Sequence, residues 1–289
     1  MSLELILAAF GGGLFGATIG ALQSFIFTGF LVLAGIAVAA SGGTVDITGL
    51  VAFGPMFGPH VAFGGGVAAA AFAGLKRKNL DNGKDIVTPL NSTKDLSVLM
   101  VGGIFGVIGL LLNYLYGTIL AIPTDTVALS VFTSGLIARL AFGSLGVFGK
   151  LSPVSGASDE IAAAAEPAKK VYLDAKNLAF NILMAFGLGL VFSKVVLDIQ
   201  NPVLGFGFSA ASLILVLIGL KDFPVTHHIT LIAGVAAMQT GSIILGAVFA
   251  VVSAILCELT GNIFNTYGDT HIDPPAMAIF ISTFIVLLF

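Results

Sequence analysis

Residues 102–126 read GGIFGVIGLLLNYLYGTILAIPTDT, and residues 246–270 read GAVFAVVSAILCELTGNIFNTYGDT. The two align without a gap, and each closes on Asp-Thr. Each is an apolar run long enough for a spanning helix, which needs about 20 residues. Working outward, AAFGGGL (8–14) matches MAFGLGL (184–190), and HVAFGGGVAA (60–69) matches HITLIAGVAA (228–237). The blocks keep the same order, so the chain reads as two copies of one unit. These are a first membrane repeat at 1–148 and a second at 177–289, joined by a connector at 149–176.

Composition narrows the class. Hydrophobic residues make up 57% of the chain, charged residues 9%, and mean hydropathy is +1.08. A soluble domain carries about 25% charged residues, so a water-soluble fold is excluded. The apolar blocks are continuous rather than alternating, which excludes a β-barrel. The start MSLEL has no Lys or Arg, so no cleavable signal is expected. The single Cys257 allows neither an intrachain disulfide nor a multi-cysteine site. Trp is absent and Tyr occurs only 4 times, which disfavours an aromatic cage for a quaternary ammonium ligand. The net charge of -3 is small and says nothing about partners; the partner expected is the lipid bilayer, with no nucleic acid.

Apolar blocks run at 4–40, 48–75, 97–122, 127–148, 177–197, 203–220, 225–263 and 275–289. The first and seventh are long enough for two helices, with turns placed near Gln23-Ser24 and Gln239-Thr240-Gly241. This predicts an all-α polytopic membrane protein of about ten transmembrane helices, some interrupted or half-length. With the N-terminus outside, Lys76, Arg77, Lys78, Lys84 and Lys94 face the cytoplasm, as do Lys150, Lys169, Lys170, Lys176 and Lys221. Only Arg139 and Lys194 fall elsewhere. Loops 76–96 and 149–176 are then cytoplasmic, in a bacterial or archaeal plasma membrane. The connector's SGASDEIAAAAEPAKK reads as a capped, Ala-rich helix broken near Pro167. Five helices per unit make the halves inverted, a plan used by transporters with the site at the repeat interface.

The repeat also pairs the rare polar residues. His60 matches His228, and Asp125-Thr126 matches Asp269-Thr270. They stand at helix starts beside Gly or Pro, where free N–H groups gather. With His227, His271 and Asp273 they form the candidate substrate- or ion-binding set, because ionisable residues at membrane depth are costly and usually functional. A structural alternative stands beside this: Asp, Thr and Asp-Pro-Pro are ordinary helix caps, and a His there can satisfy a backbone group. After Thr270 the second repeat gains about four residues, HIDP. The last run, 275–289, is too short to cross a core of about 30 Å, so the chain there either starts its helix earlier or starts it partway into the membrane. Glu258 is a candidate coupling residue or half of a buried pair. Gly12, Gly16 and Gly20 form a small-residue stripe expected to pack within the chain. His227, His228, His271, Asp269 and Asp273 supply N/O ligand types for a metal, but their spacing is not diagnostic, and no cofactor motif is present.

The function expected is therefore a transporter of a small polar or ionic solute, coupled to H+ or Na+, rather than an enzyme; a homo-oligomer is compatible with it. One alternative is a passive pore. The stretch LQSFIFTGFLVLAGI (22–36) and the two five-helix units resemble the urea channel family, which implies a channel for a small neutral solute. That family's LPxxT-type motif has no match: the chain has IPTDTVALSVF and GDTHIDPPAMAIF. The other alternative is a non-transporting membrane subunit of a larger complex.

Overall fold

The computed structural model describes residues 1–150, 173 and 175–289. It is helical, with no strand among the described residues. The first half comprises α1 (Leu3–Ile19), α2 (Ala21–Ala40), α3 (Gly64–Phe72), α4 (Leu96–Tyr114) and α5 (Thr126–Phe142). The second comprises α6 (Ala175–Ile199), α7 (Leu204–Ser212) and α8 (Ile214–Leu217), which run on as one apolar segment, α9 (His227–Thr240), α10 (Ile243–Thr260) and α11 (Pro274–Val286). A wider π turn, Pro59–Phe63, leads into α3 and another, Ala73–Arg77, follows it; π turns also extend α4 and α10 to Ile119 and Asn265. Four segments are long and apolar enough to cross a membrane: Ala21–Ala40, Leu96–Ile119, Ala175–Ile199 and Ile243–Asn265. Shorter apolar helices run at Leu3–Ile19, Thr126–Phe142, Leu204–Leu217 and Pro274–Val286.

Several boundaries differ from those read in the sequence. The chain turns between α1 and α2 at Gly20 rather than near Gln23-Ser24, because Gly20 takes a φ of 100° that other residues resist. Gln23 lies inside α2, its Nε2 donating to the Val87 carbonyl. The turn near Gly241 falls where expected. In the 48–75 block the long helical stretch begins only at Pro59; residues Thr48–Ala52 form a separate short turn against α2. The last helix begins at Pro274, with Asp273 as its cap. The predicted connector helix lies outside the described residues.

Lipid offers no hydrophobic drive for helix association, so packing rests on small residues that let backbones approach. The sequence supplies them where α1, α3 and α4 meet. A Cβ added at Gly13 would lie 2.3 Å from the Gly102 carbonyl oxygen, and one at Gly65 2.8 Å from the Gly13 Cα. Gly12 and Gly16 press on the carbonyls of Pro55 and Ala62, so the small-residue stripe of α1 does pack within the chain. The second half repeats the pairing: α6 packs along α10 as α1 packs along α4, and α9 packs on both α6 and α10.

Two crossings join the halves. α2 packs on α7, and α5 packs on α11. The second is antiparallel. At one end the Thr124 hydroxyl donates to the Phe280 carbonyl at 2.5 Å, and the Thr283 hydroxyl accepts from the Asp125 N–H at 2.9 Å. At the other end Arg139, near the close of α5, reaches Thr270 just before α11. The largest core cluster lies between these crossings.

Candidate functional site

Helices α5 and α11 each open on a carboxylate. Asp125 accepts from the Ala128 N–H at 2.8 Å, and Asp273 accepts from the Ala276 N–H at 2.9 Å. Each thereby satisfies one of the free donors of a helix start. Of the aligned pair Asp125 and Asp269, only Asp125 caps a helix; in the second half the capping carboxylate is Asp273. The four extra residues lie ahead of the cap, in the loop that leads to α11.

Between the crossings lie two adjoining cavities. A narrow chamber of about 60 Å³ is lined by both caps and by Phe25, Phe53, Phe63 and Phe206. A vestibule of about 410 Å³ is lined by Leu22, Ile86, Phe223, His228 and Cys257, among others. Phe25, Phe63, His227 and Asp273 border both. Among the described residues no Lys or Arg lines either space; the polar side chains there are carboxylates, imidazoles and the Cys257 thiol.

His227 opens α9 and is 5% exposed. Its ring centroid lies 4.7 Å from that of Phe25 and 5.9 Å from that of Phe206. Its Nδ1 has no hydrogen-bond partner among the described residues. His228 meets His227 edge-on at 6.0 Å and faces the vestibule, also with an unpartnered Nδ1. His271 stands 3.2 Å from Asp273, ring nitrogen to carboxylate oxygen, and abuts the Phe63 ring. Asp125, His227, His228, His271 and Asp273 are thus gathered at or beside the two cavities.

The other sequence candidates stand elsewhere. His60 is buried at the start of the Pro59–Phe63 turn but borders neither cavity. Thr126 donates to Asn113 Oδ1 at 2.8 Å and faces a separate cleft near Tyr114. Glu258 accepts from Asn181 Nδ2 at 3.0 Å on the α6–α10 contact. Asp269 accepts from the Ser144 N–H at 2.6 Å, the Ser144 hydroxyl at 3.0 Å and the Leu145 N–H at 3.2 Å. Burial alone would raise its carboxyl pKa, but these donors hold it below the ordinary range. Thr270 accepts from Arg139 Nε at 2.8 Å. Asp269 and Thr270 thus tie the end of α5 to the loop before α11 and do not face the chamber. Among the described residues no group of three or more His, Cys, Asp and Glu is placed to hold a metal.

Sequence reasoning missed the ring cluster and the buried guanidinium. Phe25 and Phe206, near the starts of α2 and α7, sit 5.5 Å apart where the halves cross. Their signal was a Phe early in the second helix of each half. Arg139 is 1% exposed and also donates to the carbonyls of Val147, at 2.8 Å, and of Phe264 and Thr270. It stands beside Lys84, which reaches the Asn265 and Thr266 carbonyls at 3.4 Å. Burial, then the guanidinium, pull the Lys84 ammonium below its ordinary pKa, with Asp269 acting in the opposite sense.

The described residues, helical without strands and with four helices among them able to cross a bilayer, fit an α-helical membrane protein. The chain belongs to a family of unknown function, DUF7973, which matches residues 1–157 and 180–289. No curated protein and no solved structure matches the chain. The resemblance to urea channels therefore rests on residues 22–36 and the helix order alone.

Proposed function

We propose that this chain is an integral membrane transport protein with two inverted five-helix units, its solute path running through the chamber and vestibule between them. The observation that carries the reading is the pairing of the chamber's lining. Counted from the helix starts, Asp125 corresponds to Asp273, Ala128 to Ala276 and Val131 to Ile279. Counted from the matched histidines His60 and His228, Phe63 corresponds to Leu231. All but the two histidines border the chamber. A cavity lined by equivalent positions of two halves is what an inverted repeat produces at its axis.

Further equivalences support the repeat. The Ser253 hydroxyl donates to the His228 carbonyl at 3.0 Å, and at the matching place Gly109 lies against the His60 carbonyl. The short helices α5 and α11 fit starts set partway into the membrane: the 13 residues of α11 reach only about 20 Å. In this reading the N-terminus is outside, and the vestibule opens beside loop 76–96 on the cytoplasmic face, because Ile86 of that loop borders it.

The pairing breaks where chemistry would lie. Pro59 in the first half corresponds to His227 in the second, next to Asp273. His227 and Asp273 are assigned to solute or proton binding, and Asp269, Thr270 and Glu258 to structure. The test is uptake into proteoliposomes with and without a pH gradient. His227→Ala and Asp273→Asn should each cut uptake at least tenfold while the protein stays monodisperse. Uptake unchanged in both variants would reject the assignment. Fast, non-saturating flux indifferent to the pH gradient would favour the passive pore.

A further inference from the structure

Resting on that transport reading, we propose that the solute is a small protonated amine, the size of ammonium or methylammonium, bound where His227 and Asp273 separate the chamber from the vestibule. Sign comes first. Asp125 and Asp273 face the chamber and no Lys or Arg among the described residues does, so an anion would meet two carboxylates without a Lys or Arg beside them. A buried carboxylate selects positive charge or a strong donor.

The donors and acceptors then separate kinds of cation. Dehydrated metal ions need a shell of oxygen ligands, from carboxylates or rings of carbonyls. Among the described residues the only side-chain oxygens lining the chamber belong to Asp125 and Asp273, and each carboxylate already accepts from a helix-start N–H. The described residues hold no metal-ligand cluster. An ammonium group asks for less: a few acceptors in the directions of its N–H bonds and one negative charge nearby. His227 Nδ1 is buried, unpartnered and part of a side chain bordering both cavities. A neutral imidazole nitrogen accepts one N–H. Asp273 supplies the charge; its Oδ1 faces His271 at 3.2 Å and its Oδ2 takes the Ala276 N–H, so each oxygen keeps a lone pair that can accept one ammonium N–H.

The remaining wall suits the same ligand. The Phe25 ring is 4.7 Å from His227 and 5.5 Å from both Phe63 and Phe206. Aromatic faces attract ammonium groups, and more strongly where water is excluded. The absence of Trp disfavours a large quaternary cage, and the chamber is the narrower of the two spaces, about 60 Å³ against about 410 Å³ for the vestibule, which suits a small solute.

The experiment uses the full chain, purified, with radiolabelled methylammonium as the probe in a scintillation proximity assay, followed by flux in proteoliposomes. Binding should saturate, be displaced by ammonium, and resist equal concentrations of Na+, K+, acetate and urea. His227→Ala should weaken it at least tenfold. Asp273→Asn should do the same, and because it also alters a helix cap, His227→Ala remains the decisive variant. Absence of saturable binding, displacement by Na+ or K+ as readily as by ammonium, or full binding in His227→Ala would overturn the proposal. If Na+, K+, acetate or urea then moved in a His227-dependent way, the amine assignment would fall and the transport reading would stand. If methylammonium bound as expected but nothing moved, the site would stand and the transport reading would fall. With neither binding nor flux, both fall.

Discussion

At the residue scale, Arg139 and His227 carry opposite kinds of burial. Arg139 is buried and answered on every side: its guanidinium donates to the Thr270 hydroxyl and to the carbonyls of Val147, Phe264 and Thr270. Such a group pins a loop and leaves nothing free for a ligand. His227 is buried with a ring nitrogen that none of the described residues answers, which costs free energy unless something visits it. Arg139→Gln would strand several of those acceptors, each costing about 1–3 kcal/mol. The expected outcome is a thermal unfolding midpoint lowered by several degrees in detergent, read by tryptophan-independent light scattering, with methylammonium affinity per folded molecule unchanged. An unchanged midpoint would show that the guanidinium does not hold the loop. The Asp269 carboxylate, bonded to Ser144 and Leu145, belongs to the same fastening.

At the element scale, helix starts and close glycine contacts set the geometry. Asp125 and Asp273 fix where α5 and α11 begin, and the glycines fix how near their neighbours come. Gly109 is the sharpest case: a Cβ there would lie 1.6 Å from the His60 carbonyl oxygen. Gly109→Ala must therefore push α4 from the Pro59–Phe63 turn, an overpacking cost of about 1–3 kcal/mol. The expected reading is a lowered melting temperature and reduced yield of monodisperse protein, whereas Gly11→Ala, with open space around it, should behave as the unchanged chain. Equal behaviour of the two would contradict the packing described. Much at this scale was legible in the sequence. The apolar blocks gave most of the helices, and Asp-Pro-Pro marked the start of α11. The ungapped alignment placed Asp269 opposite Asp125 because both precede Thr, yet the cap is set by which carboxylate reaches the third N–H onward, and that is Asp273.

At the scale of the whole molecule, the decisive contacts join residues far apart in the chain, which explains what the sequence left unread. Arg139 and Thr270 are 131 residues apart, and Phe25 meets Phe206 across the two halves. No local pattern announces either pair. The histidine-rich starts were visible because ionisable residues are scarce here; the aromatic wall was not, because 24 Phe residues hide the few that matter. The central claim is a solute path between two halves, entered from the cytoplasmic face through the vestibule. The chain carries one cysteine, Cys257, and it borders that vestibule. In a Cys257→Ser background, Ile86→Cys therefore places a lone thiol where loop 76–96 borders the vestibule; a charged, membrane-impermeant methanethiosulfonate reagent should label it from the face that carries Lys84 and block methylammonium flux there but not in Cys257→Ser alone. Labelling from the opposite face alone, or labelling that leaves flux intact, would contradict the account.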